Sequence, residues 1–259
     1  MSVFKTTAGT GKDIVLIHGS SVNHEDMLPV IDALSLHYKV TSIDLPGMGY
    51  SKWSPHIQTI HDIADLVLPE LPENAIYIGW SFGGLVALSI GARYSKRMKR
   101  FIGIGTTPNF MADNHWIGLP KPGYAALVAS IFEKKSFHTF VKEFYEQEFT
   151  NTHQTQSPLY LEAQKICDRR PESDIHVIEK IMAICDATDL RNELTSLTCP
   201  IDFIFGDQDT YALKSTWPQI AKLNPNTYIH EIIGAGHAPF WTHPEKFNAI
   251  LNHILKDNK

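Results

Sequence analysis

The chain has little cysteine, no long apolar run and no surplus of positive charge, and each shortage narrows what it can be. Its 259 residues include three cysteines, Cys167, Cys185 and Cys199. They are too few and too irregularly spaced for a disulfide framework or a zinc site, so we expect small buried apolar residues in a reducing cytosol. No stretch approaches the roughly 20 apolar residues of a membrane-spanning helix, and the amino-terminal MSVFKTTAGTGKD holds no apolar core of signal-peptide length. A formal net charge of −5 offers no general attraction to nucleic acid or to an anionic membrane. The glycine-rich stretch Asp44-Leu45-Pro46-Gly47-Met48-Gly49-Tyr50-Ser51 lacks both the Lys-Ser/Thr ending of a phosphate loop and the dinucleotide glycine spacing. No internal repeat or low-complexity tract is present. The expectation is a cytoplasmic protein needing neither a metal nor an organic cofactor.

What remains is ordinary for one globular α/β domain with an insertion: 43 % hydrophobic and 20 % charged residues. Short apolar runs at Val3–Thr6, Asp13–Ile17, Tyr38–Ile43, Ile76–Gly79 and Phe101–Ile104 read as strands. Helical stripes alternate with them, over Met27 to Leu34, Ile57 to Leu71 and Phe82 to Tyr94. That alternation predicts a mostly parallel sheet with helices on both faces and a site beyond the carboxyl ends of the strands. The rhythm stops after Thr107-Pro108. From Asn109 to Leu190 helical patterns recur (Tyr124–Phe132, Phe137–Phe149, Leu159–Cys167, Ile175–Ile184) without a convincing strand. Strand and helix alternate again from Pro200, with a last helix starting at Pro244. We therefore expect a core built from residues 1–108 and 191–259, with a helical lid at 109–190.

The most informative stretch is Ile76-Tyr77-Ile78-Gly79-Trp80-Ser81-Phe82-Gly83-Gly84-Leu85. Gly79-x-Ser81-x-Gly83 has the spacing of a nucleophile elbow, a strand-to-helix turn too sharp for bulky neighbours. It exposes the Ser81 hydroxyl and puts the Phe82 N–H at the positive end of a helix, suited to a developing oxyanion. A serine nucleophile needs a base held by a carboxylate. His237, in Gly234-Ala235-Gly236-His237-Ala238-Pro239-Phe240 after the last strand, is the expected base; His243, before Pro244, is its nearest rival and is expected to face solvent. Gly206-Asp207-Gln208-Asp209 offers two carboxylates. Asp209 is expected to orient His237, and Asp207 to cap its own turn. A second oxyanion N–H is expected from the loop His18-Gly19-Ser20, at Ser20, with His18 shaping that loop. The run Arg93, Lys96, Arg97, Lys99, Arg100 reads as charge complementing a helix carboxyl end.

Together the elbow, the His18-Gly19 loop, Asp44-x-Pro46-Gly47-x-Gly49-x-Ser51, Gly206-x-x-Asp209 and Gly236-His237 resemble the α/β-hydrolase superfamily. Within it, Gly79-Trp80-Ser81-Phe82-Gly83-Gly84-Leu85-Val86-Ala87, Thr106-Thr107-Pro108-Asn109-Phe110 with Trp116, Asp189-Leu190-Arg191 and His237-Ala238-Pro239-Phe240 are similar to the biotin-synthesis carboxylesterases. The resemblance implies the α/β-hydrolase fold, a Ser81–His237–Asp209 triad and oxyanion donors at Ser20 and Phe82. It also implies acyl-chain contacts by Phe144, Tyr145, Glu146, Gln147 and Glu148, and a pimeloyl methyl ester carried on acyl carrier protein as substrate. Other small esters, as a monomer, are within the same expectation. The chain departs from that family at Ser20, where a Trp is usual, and its 109–190 segment holds 12 acidic against 8 basic residues. Lys134, Lys135, Lys142, Arg169 and Arg170 are that segment's candidates for a patch facing an acidic carrier. The same motifs also fit a broad short-chain carboxylesterase, a thioesterase or C–C-bond hydrolase, and a ligand-binding protein with a vestigial triad.

Overall fold

The computed structural model of the chain describes residues 3–133 and 136–256. Strands β1 (Lys5–Ala8), β2 (Lys12–Ile17) and β3 (Tyr38–Ile43) are followed by β4 (Ala75–Trp80), β5 (Met98–Ile104), β6 (Ile201–Gly206) and β7 (Thr227–Ile232). They form one seven-stranded sheet in the order β1-β3-β2-β4-β5-β6-β7, with β1 antiparallel and every other pairing parallel. A turn joins β1 to β2, and helices α1 (Leu28–Ser35), α2 (Ile60–Val67) and α3 (Phe82–Arg93) connect β2 to β3, β3 to β4 and β4 to β5. Among the described residues five helices lie between β5 and β6, and the first four fall within residues 109–190: α4 (Lys121–Glu133), α5 (Phe137–Asn151), α6 (Pro158–Arg169) and α7 (Ile175–Ala187). After them come α8 (Arg191–Ser196), α9 (Trp217–Leu223), α10 (Pro239–Thr242) and α11 (Pro244–Lys256).

Strands β4 and β6 are buried along their whole length, as a central parallel sheet covered on both faces requires. The order reverses between β2 and β4, so their carboxyl ends part and open a crevice, the position favoured for ligands in such sheets. Registers place Ile17 beside Gly79 and Trp80 beside Ile104, which brings the loops after β2, β4 and β5 to the same edge. Helix α2 starts where Thr59 and Asp62 form a capping box. The two ends of the stretch between Pro108 and Leu190 meet, because the Leu190 N–H donates to the Pro108 carbonyl at 2.8 Å.

The basic run expected to serve a helix dipole does something more specific. Arg93 pairs with Asp65 at the helix end, and Arg97 donates to the carbonyls of Leu68 and Leu71. Arg100 lies in β5, buried against Asp202. The inserted helices are fastened to the core by a second buried pair. Arg170, closing α6, reaches the Asp26 carboxylate at 2.8 and 3.1 Å, which also accepts from the Tyr145 hydroxyl at 2.9 Å and the Asn23 N–H at 3.0 Å. No helix among the described residues is long and apolar enough to cross a membrane.

Candidate active site

Ser81 lies at the turn between β4 and α3 with φ +52° and ψ −122°, a conformation that residues with a Cβ rarely adopt. The close approach of α3 to the sheet forces it. A Cβ on Gly83 would lie 2.3 Å from the His18 carbonyl oxygen and 2.4 Å from that of Ile17, and one on Gly79 2.5 Å from the Gly83 carbonyl oxygen. With both positions bare, Ser81 is held by its own N–H to the Ile104 carbonyl and by its carbonyl, which accepts from Gly84. The side chain is half-buried and lines a cleft of roughly 720 Å³.

His237 lines the same cleft. Its Nδ1 lies 2.8 Å from Asp209 Oδ2, which leaves Nε2 as the nitrogen turned to chemistry. The other Asp209 oxygen accepts the N–H groups of Tyr211 and Ala212, fixing the carboxylate. Rings of Trp80, Phe144 and Tyr211 surround the imidazole at centroid separations of 5.8, 6.1 and 4.7 Å. Burial acts to lower the imidazole pKa, but the charge and hydrogen bond of Asp209, with the Glu148 carboxylate behind it, carry the balance above 6.5. Asp207 does not cap its own turn. Its carboxylate crosses to the Gly234 N–H at 2.7 Å and so ties together the loops that carry Asp209 and His237. His243 is half-buried rather than open to solvent, and its Nδ1 lies 3.1 Å from the Thr242 hydroxyl oxygen.

Ser20 and Phe82 both line the cleft beside Ser81. Gly19 lets the loop approach, because a Cβ there would lie 3.3 Å from Ser81 Cβ. His18 supports that loop from beneath: its Nδ1 hydrogen-bonds the Gly19 carbonyl at 2.7 Å, and its Nε2 accepts the Leu45 N–H at 2.9 Å. Burial lowers its pKa, in keeping with a neutral ring. The glycine-rich stretch from Asp44 is a brace for this loop. The Asp44 carboxylate accepts from the backbone N–H groups of His24 and Tyr50, and the Ser51 hydroxyl donates to the Asp44 carbonyl.

Among Phe144, Tyr145, Glu146, Gln147 and Glu148, the cleft takes Phe144. Five consecutive residues of a helix point all round its axis. Tyr145 turns into the core towards Asp26, Glu146 and Gln147 are exposed, and Glu148 is buried behind the His237 loop. Phe140 and Val141, one turn earlier, line the wall in their place. Sequence reasoning also missed Tyr124, Met182, Tyr211 and Cys185 as lining residues. Cys185 is therefore not a plain core residue, though burial pushes its thiol up to about 12. The helical periodicity of the inserted segment was visible, but not which stripe would face the cleft. Among the described residues the lining holds no Lys, Arg, Asp or Glu, and no group of three His, Cys, Asp or Glu is placed to hold a metal ion.

Comparison with known proteins agrees with this architecture. A curated relative from Aeromonas hydrophila named pimeloyl-[acyl-carrier protein] methyl ester esterase is 29 % identical, covering 98 % of this chain and 100 % of its own. Another of the same name, from Vibrio vulnificus, is 28 % identical and covers 93 % of each chain. Among solved structures, an esterase from Exiguobacterium antarcticum superposes with a TM-score of 0.85 at 18 % identity, covering 98 % of this chain and 95 % of that one. The profile of the alpha/beta hydrolase fold matches residues 13–244, and the chain belongs to that family.

Proposed function

We propose that the protein is a cytoplasmic, monomeric serine carboxylesterase that hydrolyses the methyl ester of pimeloyl-acyl carrier protein to pimeloyl-acyl carrier protein and methanol, a step of biotin synthesis. The observation that carries the ester chemistry is His237, oriented by Asp209 and boxed by aromatic rings, lining the same apolar cleft as the strained Ser81. Near full-length likeness to relatives of that name supports the choice of ester.

In this reading the ester carbonyl enters over Ser81 while the acyl chain lies against Phe140, Val141 and Phe144. His237 Nε2 takes the Ser81 proton as the hydroxyl oxygen attacks, and Asp209 stabilises the imidazolium that forms. The N–H groups of Ser20 and Phe82 receive the oxyanion; losing one such donor costs roughly 10²–10³ in rate. The imidazolium then protonates the departing methoxide. Water, deprotonated by His237, attacks the acyl-Ser81 ester, and collapse of the second tetrahedral intermediate returns Ser81 and the free acid. Residues 109–190 act in this scheme as the lid over the acyl chain.

A second reading, a broad short-chain carboxylesterase, is favoured by the charges of that segment. Lys142 pairs with Asp168, Arg169 with Glu25 and Arg170 with Asp26, so three of the five cations expected to face an acidic carrier have intramolecular partners; Lys134 and Lys135 lie outside the described residues. The test is growth without biotin of a bacterium lacking its own pimeloyl ester esterase, given this gene or its Ser81→Ala version. Rescue by the intact gene alone is expected. Failure of a well-expressed protein that still cleaves p-nitrophenyl esters would overturn the carrier-protein assignment and leave the broader esterase.

A further inference from the structure

Glu148 occupies a place that folding alone gives a carboxylate little reason to take. It is 6 % exposed, in the last turn of α5, where the helix dipole is negative, and the Asp209 carboxylate acts on it unfavourably. Burial raises its pKa above 4.5, against the opposing pull of the His237 charge and of the backbone N–H groups that it accepts. Those groups are the N–H of Ala238, 2.9 Å from Oε2, and the N–H of His237 itself. Gly236 makes the approach possible. A Cβ there would lie 2.6 Å from Oε2 and 2.7 Å from Oε1, so any side chain at 236 would displace the carboxylate. The carboxylate thus grips the backbone next to His237, without lining the cleft itself.

We propose that Glu148 is a positioning residue for the ester hydrolysis, strapping the His237–Ala238 backbone to helix α5 and adding a second negative charge behind the imidazolium that forms when Ser81 attacks. This rests on the esterase reading. Asp209 orients the ring through Nδ1, whereas Glu148 fixes the main chain beneath it. The titratable groups that act on His237 are Asp209 from the loop after β6 and Glu148 from α5; the Tyr211 ring packs against the imidazole, and Trp80 and Phe144 complete the surroundings without charge. Both carboxylates raise the His237 pKa, so discharging Glu148 lowers it.

Glu148→Gln keeps the shape and an acceptor oxygen but removes the charge. Two measurements read its effect. The first is the pH profile of kcat/KM on p-nitrophenyl acetate. The second needs no turnover: NMR titration of histidine-labelled Ser81→Ala and Ser81→Ala/Glu148→Gln proteins, with His237 assigned by its loss in a His237→Gln variant. Glu148→Gln is expected to lower the His237 pKa by about one pH unit. The acid limb should move down with it, with kcat reduced at pH 8 and KM kept within about twofold. Glu148→Asp, which keeps the charge on a shorter stem, is expected to restore most of the pKa. An unchanged His237 titration in the Glu148→Gln pair would overturn the proposal, as would lowered stability with an unmoved acid limb. A protein without ester turnover whose His237 pKa still shifts would refute the esterase reading and leave the strap intact.

Discussion

Replacing Ser81 by glycine should make the protein more stable while removing its activity, and replacing it by alanine should remove the activity without that gain. The difference isolates the strain held at the elbow. A residue with a Cβ at φ +52°, ψ −122° is held at a cost of about 1–3 kcal/mol. Glycine adopts the same angles freely, but its looser unfolded chain gives back roughly 0.5–1 kcal/mol. The net gain of Ser81→Gly over Ser81→Ala is therefore about 1 kcal/mol, or roughly 2–4 °C in Tm for a chain of this size. Alanine keeps the Cβ and hence the strain. Differential scanning calorimetry of the two variants at one pH provides the comparison, with p-nitrophenyl ester turnover as the activity readout. A glycine variant less stable than the alanine variant would refute the account of the turn, because it would mean that the surrounding contacts rather than the serine backbone carry the cost. Residual turnover in both variants at the parental level would refute the assignment of Ser81 as nucleophile.

The pH dependence follows from His237. The Asp209 and Glu148 carboxylates hold its pKa above the ordinary 6.5 and its neutral form is the proposed base, so kcat/KM should fall as pH drops through that raised value; an acid limb at or below 6.5 would contradict the Asp209 pairing. For stability the sign is opposite. The contribution of the charged imidazole is full below 6.5 and fades as pH rises through the raised pKa, which urea midpoints across that range would show. Arg170→Met leaves the Asp26 carboxylate buried without its cation and should cost about 3 kcal/mol, the low end for such pairs because Arg170 Nη2 has no partner. A urea midpoint within error of the parent would show that the clamp contributes nothing. Gly83→Ala drives a Cβ into the Ile17 and His18 carbonyls and should lower stability by more than about 3 kcal/mol, read by the same denaturation.

Legibility in the sequence followed physical constraint. The turn around Ser81 was readable because bare positions at 79 and 83 are dictated by backbone atoms 2.5 Å or closer to where a Cβ would be, and no other residue type solves that problem. The central strands were readable because burial on both faces demands continuous apolar runs. At the edge of the sheet the signal weakens. Strand β1 is half exposed and runs over Lys5–Ala8 rather than Val3–Thr6, its register being set by antiparallel pairing of Lys5 with Ile43. Strand β5 begins at Met98, earlier than the apolar run at Phe101, because Arg100 is accommodated by Asp202 on the neighbouring strand. A polar residue neutralised by a distant partner looks, in one dimension, like the end of a strand. Helices α8 and α10 are too short for periodicity to announce them.

Helix α5 shows most clearly why a site is harder to read than a fold. Resemblance proposes a contiguous block, 144 to 148, as the wall of the acyl site. A helix cannot present a block; it distributes neighbours around its axis about 100° apart. In α5 that distribution gives each direction its own task. Phe140, Val141 and Phe144 face the cleft, Tyr145 reaches the Asp26 clamp, and Glu148 reaches the His237 loop. One helix thereby touches the cleft wall, the Arg170–Asp26 clamp and the main chain beside the proposed base. A displacement of α5 therefore acts on the chemistry as well as on the shape of the cleft. Substitutions that loosen the Asp26 clamp should accordingly slow turnover of even the smallest ester, p-nitrophenyl acetate, which has almost no acyl chain to misplace. Loss of activity confined to long acyl chains would instead mean that α5 shapes the wall and leaves His237 alone.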